Sequence, residues 1–143
     1  MNIKLSKLVI EEIQAHGREA YPAEACGVFL GTMEAEAFQV RRIVRMDNYR
    51  KSETNYEFVI EPEALLRVMK EARKENLDIV GFYHSHPDHP AKPSEKDKKW
   101  GGETWPGVAH LILAVAKGEP GNMGAWVFDV ESGSFQDLRI VVL

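Results

Sequence analysis

Residues 79–83 limit the possible folds of this chain more than any other stretch. They read Ile-Val-Gly-Phe-Tyr, so both alternating sets of positions are apolar. Successive side chains of a strand point to opposite faces, and a strand that is apolar on both faces has to be covered on both. The sequence therefore predicts a buried strand here, inside a sheet that carries other elements on each side.

Helix signals occur on both sides of this strand. Ser6 is a suitable N-cap, and apolar residues recur after it at helical spacing, which predicts a helix over 6–19 with a face formed by Leu5, Leu8, Val9 and Ile13. Pro62 occupies a first helical position, and the helix that it opens is expected to bury Leu65, Leu66, Met69 and Ala72. A short third helix is predicted to begin at Ser94.

The remaining apolar runs favour strands. Strands are predicted at 26–31, 38–44, 55–60, 108–116, 123–131 and 134–142, with Glu131-Ser132-Gly133 as a hairpin turn between the last two. The expected fold class is mixed α/β (α+β). We expect a single domain over 1–143, with a central sheet of mostly β-hairpin character flanked by helices.

Composition excludes several function classes. A formal net charge of -4 and a pI near 5.7 argue against general nucleic-acid binding, which needs a basic surface. No apolar run approaches the roughly 20 residues that span a bilayer, and no leader opens the chain. Cys26 is the only cysteine, so it cannot form an internal disulfide. We expect a soluble, cytoplasmic protein whose oligomeric state the sequence does not indicate.

The residues that follow the buried strand carry the chemistry. His84 and His86 are two positions apart, so in a strand they point to the same face, and Pro87 ends the strand immediately afterwards. A loop rich in proline can then return Asp97 from the first turn of the next helix. Two imidazoles and one carboxylate leave a fourth tetrahedral position open, which is typical of catalytic zinc, although these ligands also suit other divalent ions.

Two further residues are candidates for catalysis. Glu24 precedes the strand that holds Cys26, and if that strand lies beside the His84 strand, its carboxylate can act as general acid/base. Ser94 can donate its hydroxyl to the oxyanion of a tetrahedral intermediate.

Together, Glu24, His84-x-His86, ten intervening residues and Asp97, with Ser94 three positions before it, resemble the JAMM (MPN+) metalloprotease signature. Glu24-Ala25-Cys26-Gly27 and His84-Ser85-His86-Pro87 look like the short prokaryotic members. The resemblance implies a cytidine-deaminase-like architecture, with Zn²⁺ held by His84, His86 and Asp97 and with Glu24 as the acid/base. It also implies cleavage of a peptide or isopeptide bond after the Gly-Gly tail of a ubiquitin-like or sulfur-carrier protein.

Other interpretations of these residues stay open. Ser94 and Asp97 also form a capping-box pattern, His89 could rival Asp97 as third ligand, and Cys26 and His110 are more typical of buried strand residues. The basic cluster Lys92, Lys96, Lys98 and Lys99 is either a solvated helix face or a docking surface for an acidic partner. Tyr56 and Phe58 are expected in the core or on an edge strand that pairs with a substrate tail.

Two other function classes also stay open. One is a zinc hydrolase of small peptides or aminoacyl conjugates, and the other is a non-catalytic MPN scaffold. A zinc deaminase is disfavoured because His86 stands where such enzymes have glutamate, and the chain lacks a second cysteine.

Overall fold

The computed structural model describes residues 1–47 and 60–143. Its elements are β1 (Asn2–Leu5), α1 (Lys7–Ala20), β2 (Cys26–Glu34), β3 (Ala37–Met46), α2 (Pro62–Lys74), β4 (Asp78–Pro87), α3 (Glu95–Glu103), β5 (Ala109–Ala116), β6 (Glu119–Asp129) and β7 (Ser134–Val142). The predicted helices and most of the predicted strands are confirmed with small changes at their ends. The strand predicted at 55–60 lies outside the described residues, apart from Ile60, which is in no strand.

The strands form one closed barrel in the order β1-β3-β2-β4-β5-β6-β7, and β7 pairs with β1. The pairs β1–β3, β1–β7 and β4–β5 are parallel, and the four other pairs are antiparallel. The predicted mixed, mostly antiparallel sheet is therefore confirmed. Its closure was not predicted, because it depends on β1, a strand of four residues that the sequence patterns did not reveal.

Two hydrophobic cores lie against the sheet. Tyr83 of β4 belongs to the first core, together with Val9, Ile10 and Ile13 of α1. Phe82, the preceding residue, belongs to the second core, which includes α2 and the Trp100 side chain of α3. The strand β4 is thus covered on both faces, as its apolar pattern predicted.

The predicted helix faces need correction. Leu5 lies in β1 and is fully buried, whereas Leu8 is 66% exposed, so α1 packs through residues that follow Leu8. In α2, Leu66 is 52% exposed and Val68 is buried in its place. Both errors arise because an extra apolar residue beside a helical stripe satisfies the same spacing rule without facing the core.

A close approach between β2 and β4 positions the site. These strands pair so that Cys26 lies opposite His84. At Gly27, a Cβ atom would lie 2.1 Å from the ring of Tyr83, so only glycine lets that ring cross β2. The Tyr83 hydroxyl lies 2.7 Å from Nδ1 of His16 in α1, which holds the ring in place.

Candidate metal centre

The centre begins at the carboxyl end of β4. His84 and His86 alternate with Ser85, whose Oγ accepts the N–H of Ala25 at 2.8 Å. Both histidines therefore point to the face opposite Ser85 and are almost fully buried. The alternation predicted from the sequence is confirmed.

Three side chains converge on one point at this face. Nε2 of His84 lies 3.1 Å from Nε2 of His86 and 3.2 Å from Oδ1 of Asp97, and His86 Nε2 lies 3.1 Å from Asp97 Oδ2. Ligands about 2.0 Å from a tetrahedral ion lie roughly 3.3 Å from one another. The nitrogen and oxygen donors and their spacing therefore fit a divalent metal ion.

The loop after β4 fixes the orientation of His86. Its Nδ1 lies 2.7 Å from the carbonyl oxygen of Pro90, which can only accept a hydrogen bond, so Nδ1 carries the proton. The lone pair of the ring is then on Nε2, toward His84 and Asp97. Metal-ligating histidines in proteins are commonly held by such a second contact.

The start of α3 positions Asp97. Ser94 is the N-cap, its Oγ accepts the N–H of Asp97 at 3.1 Å, and Asp97 Oδ2 accepts the N–H of Ser94 at 2.9 Å. Burial alone would raise the pKa of Asp97, but the charge of His84 and hydrogen bonds from His84 and the Ser94 N–H hold it far below the usual range. Asp97 therefore belongs to a capping box and also lies beside both histidines, so the two interpretations of this residue are compatible.

Glu24 lies next to this group because β2 and β4 are neighbours. Ala25 donates to Ser85 Oγ, and its carbonyl accepts the Ser85 N–H at 2.9 Å, so the β2–β4 pairing continues to the residue after Glu24. The Glu24 side chain is buried, and its two oxygens have no hydrogen-bond partner among the described residues. Burial, followed by the charge of Asp97, raises the pKa of Glu24 to about 9.

A family profile described as "Prokaryotic homologs of the JAB domain" matches residues 6–129. This chain belongs to that family.

Several relatives of this chain are named desampylase or CysO-cysteine peptidase. The chain is 36% identical to a desampylase of Pyrococcus furiosus over 83% of this chain and 76% of the relative. It is 30% identical to a desampylase of Haloferax volcanii over 92% of this chain and 90% of that relative. A CysO-cysteine peptidase of Mycobacterium tuberculosis is 30% identical over 73% of this chain and 67% of its own length.

Solved structures share the fold of this chain. A protein from Desulfitobacterium hafniense superposes with a TM-score of 0.84 at 28% identity, covering 99% of this chain and 92% of that chain. A JAB1/MPN domain protein from Archaeoglobus fulgidus superposes with a TM-score of 0.57 at 17% identity, covering 99% of both chains, which supports the fold alone.

Among the helices of 1–47 and 60–143, none is long and apolar enough to cross a membrane.

His89 is not one of the three converging residues, but its ring lies beside them. Its ring stacks on His86, with ring centroids 4.0 Å apart and planes at 12°, and it does not replace Asp97. The sequence left His89 open as an alternative third ligand to Asp97. The His-x-His-x-x-His spacing was the available signal, and it does bring the third ring to the site.

Cys26, His110 and the lysine cluster, which the sequence also singled out, lie outside the group of three converging residues. Cys26 is buried, its thiol donates to the Met46 carbonyl at 3.6 Å, and burial raises the pKa of Cys26 to about 12. His110 is buried among aromatic rings, and its Nε2 lies 3.3 Å from the carbonyl oxygen of Trp105. The four lysines of the basic cluster are exposed, which fits both a solvated face and a docking surface: Lys92, Lys96, Lys98 and Lys99. The predictions for Tyr56 and Phe58 lie outside the described residues.

Proposed function

We propose that this JAB-family chain is a zinc-dependent metallopeptidase, acting as a single domain over 1–143. Its proposed reaction is hydrolysis of the peptide or isopeptide bond after the C-terminal Gly-Gly of a ubiquitin-like or sulfur-carrier protein. The observation that carries the proposal is the convergence of His84, His86 and Asp97 beside the buried carboxylate of Glu24. The desampylase and CysO-cysteine peptidase names of relatives support a protein conjugate as substrate.

The proposed ligands are His84, His86 and Asp97. Two imidazole nitrogens and one carboxylate, spaced as a tetrahedron requires, favour zinc, and three protein ligands are typical of a catalytic centre. When bound, a zinc ion lowers the pKa of a water molecule and polarises a substrate carbonyl. The protein fixes these ligands through the Pro90 carbonyl and the Ser94 cap.

Glu24 is the proposed proton carrier. It takes a proton from the attacking water on a carboxylate oxygen and later donates it to the leaving amine. Its buried setting suits the donating half of this role, because a carboxyl group with a raised pKa holds a proton more firmly than an exposed one, and the charge of a bound zinc ion would favour the carboxylate form that accepts the proton. No hydrogen bond from the described residues restrains its two oxygens.

Ser94 is the proposed oxyanion donor. Its Oγ accepts the Asp97 N–H through a lone pair, so the hydroxyl hydrogen can still be donated to a developing negative charge. Ser94 would then act both on the substrate and, through the cap, on the orientation of Asp97.

The test compares single variants on a ubiquitin-like or sulfur-carrier protein with an extension after its Gly-Gly, with products weighed by mass spectrometry. We expect Glu24→Gln to keep the metal while turnover falls by about 100- to 10,000-fold, since only the proton carrier is lost. We expect His84→Ala and Asp97→Ala to lose both metal and activity. Glu95→Gln is the matched control, because Glu95 is a carboxylate of the same region whose side chain is 94% exposed.

Metal removal supplies an independent result. Phenanthroline should abolish cleavage and added zinc should restore it, whereas activity that survives thorough metal removal would contradict the proposal. Full activity of Glu24→Gln would show that another group carries the proton. Cleavage of short free peptides as fast as the carrier fusion would favour the small-peptide hydrolase.

A further inference from the structure

A second group of possible ligands shares His86 with the first. Glu24, His86 and His89 each offer an atom within 4.8 Å of the other two. Glu24 contributes a buried carboxylate without a hydrogen-bond partner among the described residues, and His89 contributes an imidazole nitrogen. Carboxylate oxygen and imidazole nitrogen are both zinc donors.

The loop holds His89 in this position. The preceding residue, Asp88, has a positive φ of 60°, a conformation that few residues other than glycine, asparagine and aspartate adopt readily. Asp88 Oδ1 accepts the Lys117 N–H at 2.7 Å, and Oδ2 accepts the Tyr21 hydroxyl at 2.6 Å. The Asp88 N–H donates to the Val115 carbonyl at 2.7 Å. These contacts fix the turn that places the His89 ring flat against His86.

We propose that Glu24 and His89 form a second, weaker zinc site next to the first, and that filling it inhibits the enzyme. His86 cannot serve both ions at once, because its Nδ1 carries a proton toward Pro90 and leaves Nε2 as its only ligand atom. The second site then has two protein ligands against three in the first. This difference makes it the weaker site.

Inhibition follows from the double use of Glu24. A carboxylate that coordinates an ion is not available to accept a proton from water, so occupancy of the second site removes the proton carrier. This consequence rests on the proposed function, whereas the binding of a second ion does not.

The binding test is equilibrium dialysis of the whole chain against zinc alone, followed by metal analysis. We expect two zinc ions per wild-type chain, and one for His89→Phe, whose ring keeps the stacking on His86 but offers no ligand. Glu24→Gln should also bind one, and the matched carboxylate control Glu95→Gln should bind two. One zinc on the wild type, or two on His89→Phe, would overturn the second site.

The activity test uses the same proteins with one equivalent of zinc and with zinc at saturation of both sites. Wild-type turnover should fall by about 100-fold or more at saturation, whereas His89→Phe should keep its activity. Equal loss in both proteins would overturn the inhibition. A chain that binds two ions and cleaves no carrier at any zinc level would refute the proposed function while leaving the second site intact.

Discussion

Two buried titratable residues beside the centre show how strongly its surroundings disfavour charge. Burial lowers the pKa of His110 to about 4, and it raises the pKa of Glu24 to about 9, so both groups favour their neutral forms in the metal-free protein. The three converging side chains lie in a similar setting, because His84 and His86 are almost fully buried and the Asp97 side chain is only 12% exposed. Electrostatic interactions with a bound substrate are stronger in such a setting than in solution.

His110 makes the free energy of unfolding depend on pH. Its folded pKa is below the ordinary value of 6.5, so the unfolded chain binds more protons between pH 6.5 and 4. Stability should fall as pH decreases through this window, by up to about 3 kcal/mol from this residue. Urea unfolding of metal-free protein at several pH values measures the effect, with His110→Phe as the comparison. Other groups titrate in both proteins, so the difference between the two free energies of unfolding at each pH isolates the contribution of His110. Identical pH profiles of the two proteins would contradict this account.

The site residues differ in how far the sequence could predict them. His84 and His86 follow from strand alternation, which is local, and the structure has them as predicted. Glu24 could be placed near them only if β2 and β4 were neighbours, and that pairing joins residues far apart in the chain. The contact of His89 with His86 depends on the unusual conformation of Asp88, which composition and periodicity do not reveal.

At the level of elements, the start of α3 links helix stability to the geometry of the centre. In the capping box, Ser94 Oγ accepts the Asp97 N–H, and the Ser94 N–H donates to the Asp97 carboxylate that faces His84 and His86. The sequence predicted this helix start from Ser94, and the pattern is short enough for local chemistry to decide it. Pro62 and the N-cap Ser6 predicted the starts of α2 and α1 equally well, whereas the buried faces of those helices depended on the rest of the fold.

Replacing Ser94 by alanine should therefore have two effects. Loss of the cap should lower the free energy of unfolding by about 1 kcal/mol. Zinc affinity should fall by about tenfold, because the Asp97 backbone loses the Ser94 Oγ bond that holds the first turn of α3, although the Ser94 N–H still contacts the Asp97 carboxylate. Thermal unfolding and competition with a chromogenic chelator measure the two quantities. Ser94→Thr, which keeps a capping hydroxyl, should retain both, and unchanged affinity in Ser94→Ala would mean that the cap does not orient Asp97.

At the level of the whole molecule, β1 completes the barrel by pairing with β3 on one side and β7 on the other. It has only four residues, too few to show a clear alternation of apolar and polar side chains. Its last residue, Leu5, also fits the helical spacing of α1. The sequence therefore predicted the layers of the fold but not its closure. A closed sheet also has no free edge among these strands.

Leu5 and Leu8 distinguish the closing strand seen in the structure from the helical face that the sequence predicted. Leu5 is fully buried in the closing strand, so Leu5→Ala should lower the free energy of unfolding by about 2–5 kcal/mol. Leu8 is 66% exposed, so Leu8→Ala should change it by less than about 0.5 kcal/mol. Urea denaturation measures both, and similar losses for the two variants would favour the helical face predicted from sequence over the strand.

The pairing of Asn2 with both Ala37 and Arg139 also affects how the chain emerges during synthesis. On the ribosome β1 and β3 become available early, but β7 is the last strand of the barrel to be made. The nascent sheet therefore stays open at least until these 143 residues have been translated. Pairing across such sequence distances is slow, and unpaired strand edges attract other chains. The nascent chain should thus need a chaperone most in the interval just before β7 leaves the ribosome.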